Sequence, residues 1–224
     1  EIGFMKIKLS KRIKIRLIVR PPNWARFFSG PIIWRMDGSE NKLYLTFDDG
    51  PIPELTPWIL GVLKQHQAKA TFFCVGDNVR KYPDIYKQIR EEGHGIGNHT
   101  FSHLNGFRTS IRRYVRDVYR GRKYIASKLF RPPYGRLRGN ARRLLRARYR
   151  IILWDVLSMD YDQGMEGRQI VRNVIGNIKP GSIIVFHDNS KARANLEYAL
   201  PRILEYYSKR GYEFANLQTE LESK

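Results

Sequence analysis

Cysteine is nearly missing from this chain: Cys74 stands alone among 224 residues, which excludes an internal disulfide. It lies in an apolar stretch and reads as core. No apolar run is long enough to span a bilayer. The basic start from Met5 onward lacks the continuous apolar stretch of a signal peptide. Internal repeats, low-complexity linkers and any recognisable nucleic-acid motif are absent as well, which argues against a nucleic-acid binder. Acidic residues are scarce. Twenty-one Asp and Glu face 41 Lys and Arg, for a net charge of +20. That excess favours an anionic setting such as a membrane or cell-wall surface, an acidic polysaccharide or nucleic acid; the plain alternative is a solvated basic surface. Without a leader or a span, the expected location is cytoplasmic or peripheral at a membrane.

What is present suits one α/β domain. Apolar residues make up 42% and aromatics 12%, enough for a sizeable core in a chain of this length. Segment 5–19 alternates apolar and basic residues with period two, which predicts an extended strand and not an amphipathic helix. Short apolar runs predict strands at 43–47, 70–73, 95–98, 129–131, 149–154, 182–186 and 212–215. Between them, helices are expected at 54–67, 84–92, 111–128, 141–148, 167–178 and 194–210, with Ser110 as a cap and Gly93 and Gly211 as stops. About seven such β-α units imply parallel strands in a closed or nearly closed barrel, ahead of a doubly wound sheet. Chemistry then belongs in the loops at the carboxyl ends of the strands.

The unusual residues fall there. Thr46-Phe47-Asp48-Asp49-Gly50-Pro51 sets two adjacent carboxylates at a strand end, a costly arrangement unless something positive compensates them. His99 and His103 are four apart, a spacing that on one helical turn puts both imidazoles on one face. With Asp49 they make one carboxylate and two imidazoles, which leaves coordination positions for water and substrate. Zinc is the default for such a set, with cobalt or nickel tolerated. Asp48 is then a free carboxylate able to accept a proton from a water beside the ion; its plain reading is a turn residue. His187 ends the apolar run 183–186 and should emerge at a mouth, where it can donate a proton. Arg131 opens a rigid Arg-Pro-Pro-Tyr-Gly loop, and its guanidinium can hold a carboxylate. His66 and His94 have no such setting and read as surface or core residues.

In this order the segments resemble the polysaccharide deacetylase family, the NodB-homology or carbohydrate esterase 4 group, from about residue 43 to 214. The resemblance implies a deformed (β/α) barrel and hydrolysis of N-acetyl groups on amino sugars of a peptidoglycan- or chitin-like glycan. It implies Asp48 as general base, oriented by Arg131, and His187 as general acid with Asp160 as its carboxylate partner. Asp49, His99 and His103 resemble the family's metal triad, the Tyr134 backbone amide its oxyanion donor, and Trp154 and Tyr161 its substrate groove. The implied layout is a basic extension at 1–42, a NodB-like domain at 43–215 and a tail at 216–224. Departures are Leu157 where many members carry an aspartate, Tyr161 for a usual tryptophan and Val185 for a common leucine. Leu157 removes a charge expected near Arg131, with a changed groove as the consequence. Two other readings stay open: removal of formyl or another acyl group from a lipid-linked or soluble amino sugar, and a non-enzymatic binder of anionic surfaces or nucleic acid on an inactive copy of the fold.

Overall fold

The computed structural model describes residues 19–21 and 30–222. The alternating segment 5–19 lies outside the described residues except for Val19, which is buried in the main apolar cluster.

Strand β1 (Ile32–Ile33) precedes β2 (Lys42–Asp48), and the alternation of β2 decides what faces what. Leu43, Leu45 and Phe47 join the large apolar cluster shared with the helices. Tyr44 belongs to a different cluster, and Thr46 and Asp48, on the same side as Tyr44, both meet the Arg131 guanidinium. Residues i, i+2 and i+4 of a strand share one face. The Asp48 carboxylate is thereby carried to the barrel interior by a strand whose other face is core.

The chain continues through α1 (Leu55–Gln65), β3 (Ala70–Cys74), α2 (Gly76–Lys81), α3 (Pro83–Glu91), β4 (Gly95–Asn98), α4 (Ile111–Arg122) and β5 (Leu129–Phe130). After a 3-10 turn at Pro133–Gly135 come α5 (Gly139–Leu145), β6 (Arg150–Ile152), β7 (Val156–Leu157), α6 (Gly167–Ile175), β8 (Ile183–His187), α7 (Arg193–Ser208), β9 (Glu213–Phe214) and α8 (Leu217–Glu222). The named strands pair in parallel in the order β1-β6-β5-β4-β3-β2-β8-β7, and β9 pairs with the start of β2. β6 and β7 are two parts of one bent run. The first pairs with β5 and the second with β8, while Leu153 N–H donates to Ile33 O and Asp155 N–H to Ile183 O at the bend. This run bridges the two ends of the sheet and curls it into the expected deformed (β/α) barrel.

All seven expected strands are present, their ends displaced by at most two residues; β1 and β7 are additions. The six expected helices are also present, joined by α2 and α8. α4 stops at Arg122 and not at 128, because Ser127 Oγ donates to Ile96 O at 2.6 Å and accepts Leu129 N–H, which fixes a non-helical approach to β5. Ser110 stands at the N-cap of α4 but makes no capping bond; a reciprocal capping box forms instead at α6, between Glu166 and Gln169. Gly93 and Gly211 do follow α3 and α7, with φ of 76° and 74°. Elements also lie outside residues 43–215: β1 pairs with β6, and the Leu217 N–H at the start of α8 donates to Thr71 Oγ1. Cys74 is a free, buried thiol whose pKa burial pushes up, a core residue and not a reactive one. Among the described residues no helix is long and apolar enough to cross a membrane.

Candidate active site

Parallel pairing brings the carboxyl ends of β2, β3, β4 and β8 to one end of the barrel, with Asp48 in register between Phe73 on β3 and His187 on β8. Arg131, just past β5, is wholly buried, and its backbone N–H donates to Asn98 O. Its Nη1 lies 2.7 Å from both Asp48 Oδ1 and Thr46 Oγ1, its Nη2 donates to Leu153 O at 3.1 Å, and its guanidinium stacks on Phe73. Asp48 is only 4% exposed. A carboxylate so placed is compensated by a cation it cannot lose.

Asp49 follows with φ of 90°, a left-handed backbone that turns its side chain away from Asp48's face. Its Oδ1 sits 3.0 Å from His103 Nε2 and 3.6 Å from His99 Nε2. One ligand atom from each of the three residues lies within 4.8 Å of the others. His99 is buried, and burial lowers its pKa to about 4, so it is neutral at physiological pH. Its Nδ1 is 2.8 Å from Arg131 O, which makes Nδ1 the protonated nitrogen and leaves the Nε2 lone pair facing Asp49. Burial raises the Asp49 pKa, but contacts with His103, His187 and His99 outweigh it and hold the group well below the usual carboxylate range. An ionised carboxylate and an imidazole with its lone pair turned inward fit a divalent metal, as does the mixed O/N donor set.

The expected helical turn joining the two histidines is not there. Residues 99–103 form an irregular loop in which Thr100 and His103 have φ of 66° and 52°. Tertiary contacts hold it: Asp117 of α4 accepts the N–H groups of Phe101 and Ser102, Asn98 Oδ1 accepts that of Thr100, and Thr100 O and Phe101 O accept Gly76 and Asp77 N–H. Among the described residues, five of the seven non-glycine residues with positive φ (Asp49, Thr100, His103, Tyr134 and Met159) lie in loops at the carboxyl ends of strands, the placement expected where backbone strain serves a site.

Asp160 grips His187 twice, with Oδ1 2.8 Å from Nδ1 and Oδ2 accepting its backbone N–H at 2.8 Å. Burial opposes the imidazolium, but Asp160 and then Asp49 and Asp48 outweigh that, and the pKa is raised to about 9. His187 is therefore cationic at neutral pH. The Tyr134 ring lies 4.8 Å from that of His103, and the Tyr161 ring stands edge-on at 4.8 Å from that of His187. Trp154 is half-buried beneath the turn, and a Cβ at Gly135 would come 2.6 Å from its Cη2. Every expected site residue thus lies at one mouth. Leu157 is packed into the main apolar cluster, and Arg131 takes its partners elsewhere. His94 is buried, accepts Ala70 N–H and stacks edge-on against Phe72, as a core residue does.

The sequence left several supporting residues unread. Asn189 Nδ2 donates to Asp49 Oδ2 at 2.6 Å, while its Oδ1 accepts the N–H groups of Lys191 and Ala192. Asp188 is buried and accepts Gly50 N–H and Thr56 Oγ–H, each at 2.8 Å; burial first, and Asp49 among the rest, raises its pKa to about 8. Asp117 carried a sequence signal in retrospect, as the one acid in a helix otherwise rich in arginine. Asn189 carried none, because its partner is 140 residues away.

Residues 35–149 match the family model described as Polysaccharide deacetylase. A peptidoglycan-N-acetylglucosamine deacetylase of Bacillus cereus is 35% identical over 203 residues, spanning 88% of this chain and 95% of the relative. The crystal structure of a peptidoglycan N-acetylglucosamine deacetylase in complex with 4-naphthalen-1-yl-N-oxidanyl-benzamide superposes with a TM-score of 0.78 at 34% identity, covering 89% of this chain and 95% of the other. A CE4 family pseudoenzyme from Bacillus anthracis superposes with a TM-score of 0.72 at 26% identity, covering 88% and 70%. On its matched motifs, its barrel and these likenesses, the chain belongs to the polysaccharide deacetylase family.

Proposed function

We propose that this protein is a metal-dependent carbohydrate N-deacetylase that releases acetate from N-acetylated amino sugars of a peptidoglycan- or chitin-like glycan. The observation that carries the reading is the meeting, at one barrel mouth, of a three-residue ligand set, a cation-locked carboxylate and a cationic histidine. Asp49, His99 and His103 would hold one divalent ion, with zinc the first choice and cobalt or nickel compatible. When bound, the ion supplies Lewis-acid polarisation and lowers the pKa of water.

The chain's own residues do the rest. Asp48, fixed by Arg131 and unable to swing away, accepts the proton of the attacking water. The Tyr134 backbone amide is assigned to the oxygen that gains negative charge as the acetyl carbon becomes tetrahedral. His187, kept cationic by Asp160, gives its proton to the sugar nitrogen as the C–N bond breaks. Water adds across the amide; acetate and a free amine leave. Tyr134 and Tyr161 flank the mouth as walls for sugar rings. The net positive charge suits an anionic setting for that glycan.

The test is acid release from chito-oligomers and peptidoglycan fragments, with and without chelator. Acetate release that chelation abolishes and zinc or cobalt restores is expected. Release of formate in place of acetate would shift the assignment to the deformylase reading. No released acid from any substrate, with metal bound, would sink the enzyme reading in favour of an inactive copy.

A further inference from the structure

Positive charge is not spread evenly over this molecule. Residues 104–150 contain sixteen Lys and Arg and a single acid, Asp117, and that acid is buried and spent on the histidine loop. Its cations are exposed, apart from buried Arg131 and half-buried Arg142. α4 and α5 share an apolar cluster through Tyr114, Val118, Ala141 and Leu145, so their outer faces adjoin.

The helices elsewhere pair opposite charges at i,i+4, as in Asp77–Lys81, Lys87–Glu91, Arg193–Glu197 and Glu205–Lys209. α4 does the reverse, with Arg112, Arg116 and Arg120 spaced four apart, and Arg142 and Arg146 repeat the spacing in and beyond α5. Like charges at that spacing destabilise a helix, so this face works against the fold that carries it. Among the described residues, five of the six exposed large apolar side chains lie in the same stretch, including Phe107 at 52% and Leu144, between Arg143 and Leu145, at 54%. A soluble polyanion would satisfy the arginines but leaves an exposed Leu and Phe unexplained. A bilayer of anionic phospholipid answers both, with phosphates for the guanidinium forks and an interface for the apolar groups.

We infer that the outer face of α4 and α5 docks on an anionic phospholipid surface. The loop carrying His103 leads into α4, and the turn carrying Tyr134 leads into α5. Docking therefore sets the mouth of the site at the edge of the contact, close to the bilayer. The experiment is sedimentation of the full chain with vesicles of phosphatidylglycerol and phosphatidylcholine, against pure phosphatidylcholine, across a salt series. Binding to the anionic vesicles alone, weakening with salt, is expected. An Arg116→Glu/Arg146→Glu variant, which turns the like-charge spacings with Arg112, Arg120 and Arg142 into opposite-charge ones, loses on the order of a hundredfold in vesicle affinity. Its melting temperature is held or raised and its rate on a small soluble substrate unchanged. A Phe107→Ser/Leu144→Ser variant loses about tenfold with the salt dependence intact. Vesicle binding indifferent to either variant overturns the inference, as does binding to long-chain polyphosphate without binding to vesicles.

Discussion

Replacing Arg131 by methionine tests the electrostatic logic of the site without touching a metal ligand. The guanidinium is fully buried, and its removal leaves Asp48, 5% exposed at its side chain, without a cation. Thr46 Oγ1 keeps its bond to Ile184 O, so the loss falls mainly on the carboxylate and on Leu153 O. Stripping one member from a buried pair costs about 3–5 kcal/mol, because the surviving charge stays desolvated. For a domain of this size that is roughly 6–20 °C in melting temperature. The deficit comes from a buried negative charge without a partner, so it is largest where carboxylates are ionised. Adding Asp48→Leu removes the stranded charge and should recover much of the stability, since an apolar pair can replace a buried ion pair at little cost. Thermal melts of the metal-free proteins at pH 5 and pH 8 read all three states. A drop of under about 1 kcal/mol for Arg131→Met, or a double variant less stable than the single, would show that the pair is not the buried electrostatic unit described.

Other outcomes follow from neighbouring contacts. His187 has its pKa raised from 6.5 to about 9, so its pairing with Asp160 stabilises the fold fully below pH 6.5, and that contribution is lost as pH rises through about 9. As the proton donor, its turnover should fall over the same upper limb, and Asp160→Asn should pull that limb downward; a limb that stays put would dismiss the partnership. Asn189→Ser keeps a short acceptor for the turn but cannot reach Asp49, so zinc affinity measured against a competing chelator should weaken about 10- to 100-fold; equal affinity would leave Asn189 as a turn residue only. Gly135→Ala must fit a Cβ 2.6 Å from Trp154 at φ of +64°, whereas Gly139 has no atom within 4 Å of the corresponding position. A loss of about 1–3 kcal/mol at 135 and none at 139 is expected in urea melts; equal effects would contradict the close packing of the turn on Trp154.

Much of the site was legible because its chemistry sits where local pattern is strongest. Strand 43–47 is apolar apart from Thr46, and two carboxylates after it can be read without knowing any partner. The same holds for His187 after the run 183–186 and for Arg131 before its two prolines. Helix ends were less legible: α4 ends at Arg122, and the approach to β5 that follows is fixed by Ser127 bonding the carbonyl of Ile96, a contact 31 residues distant. α2 and α8, at six residues each, are too short for a periodic signal.

Taken alone, the order of residues determined the ligand types, their arrival at strand ends and the β-α alternation, because these depend on period, propensity and neighbouring residues. Tertiary structure decided how those groups face one another. The histidine pair is not a helical turn, and contacts from Asp117, Asn98, Arg131 O and two α2 amides hold its loop in shape. Which oxygen of Asp49 is free depends on Asn189, and the closure of the barrel depends on a bend between β6 and β7 that bonds two different strands. Such contacts join residues far apart in the chain, and no local preference encodes them.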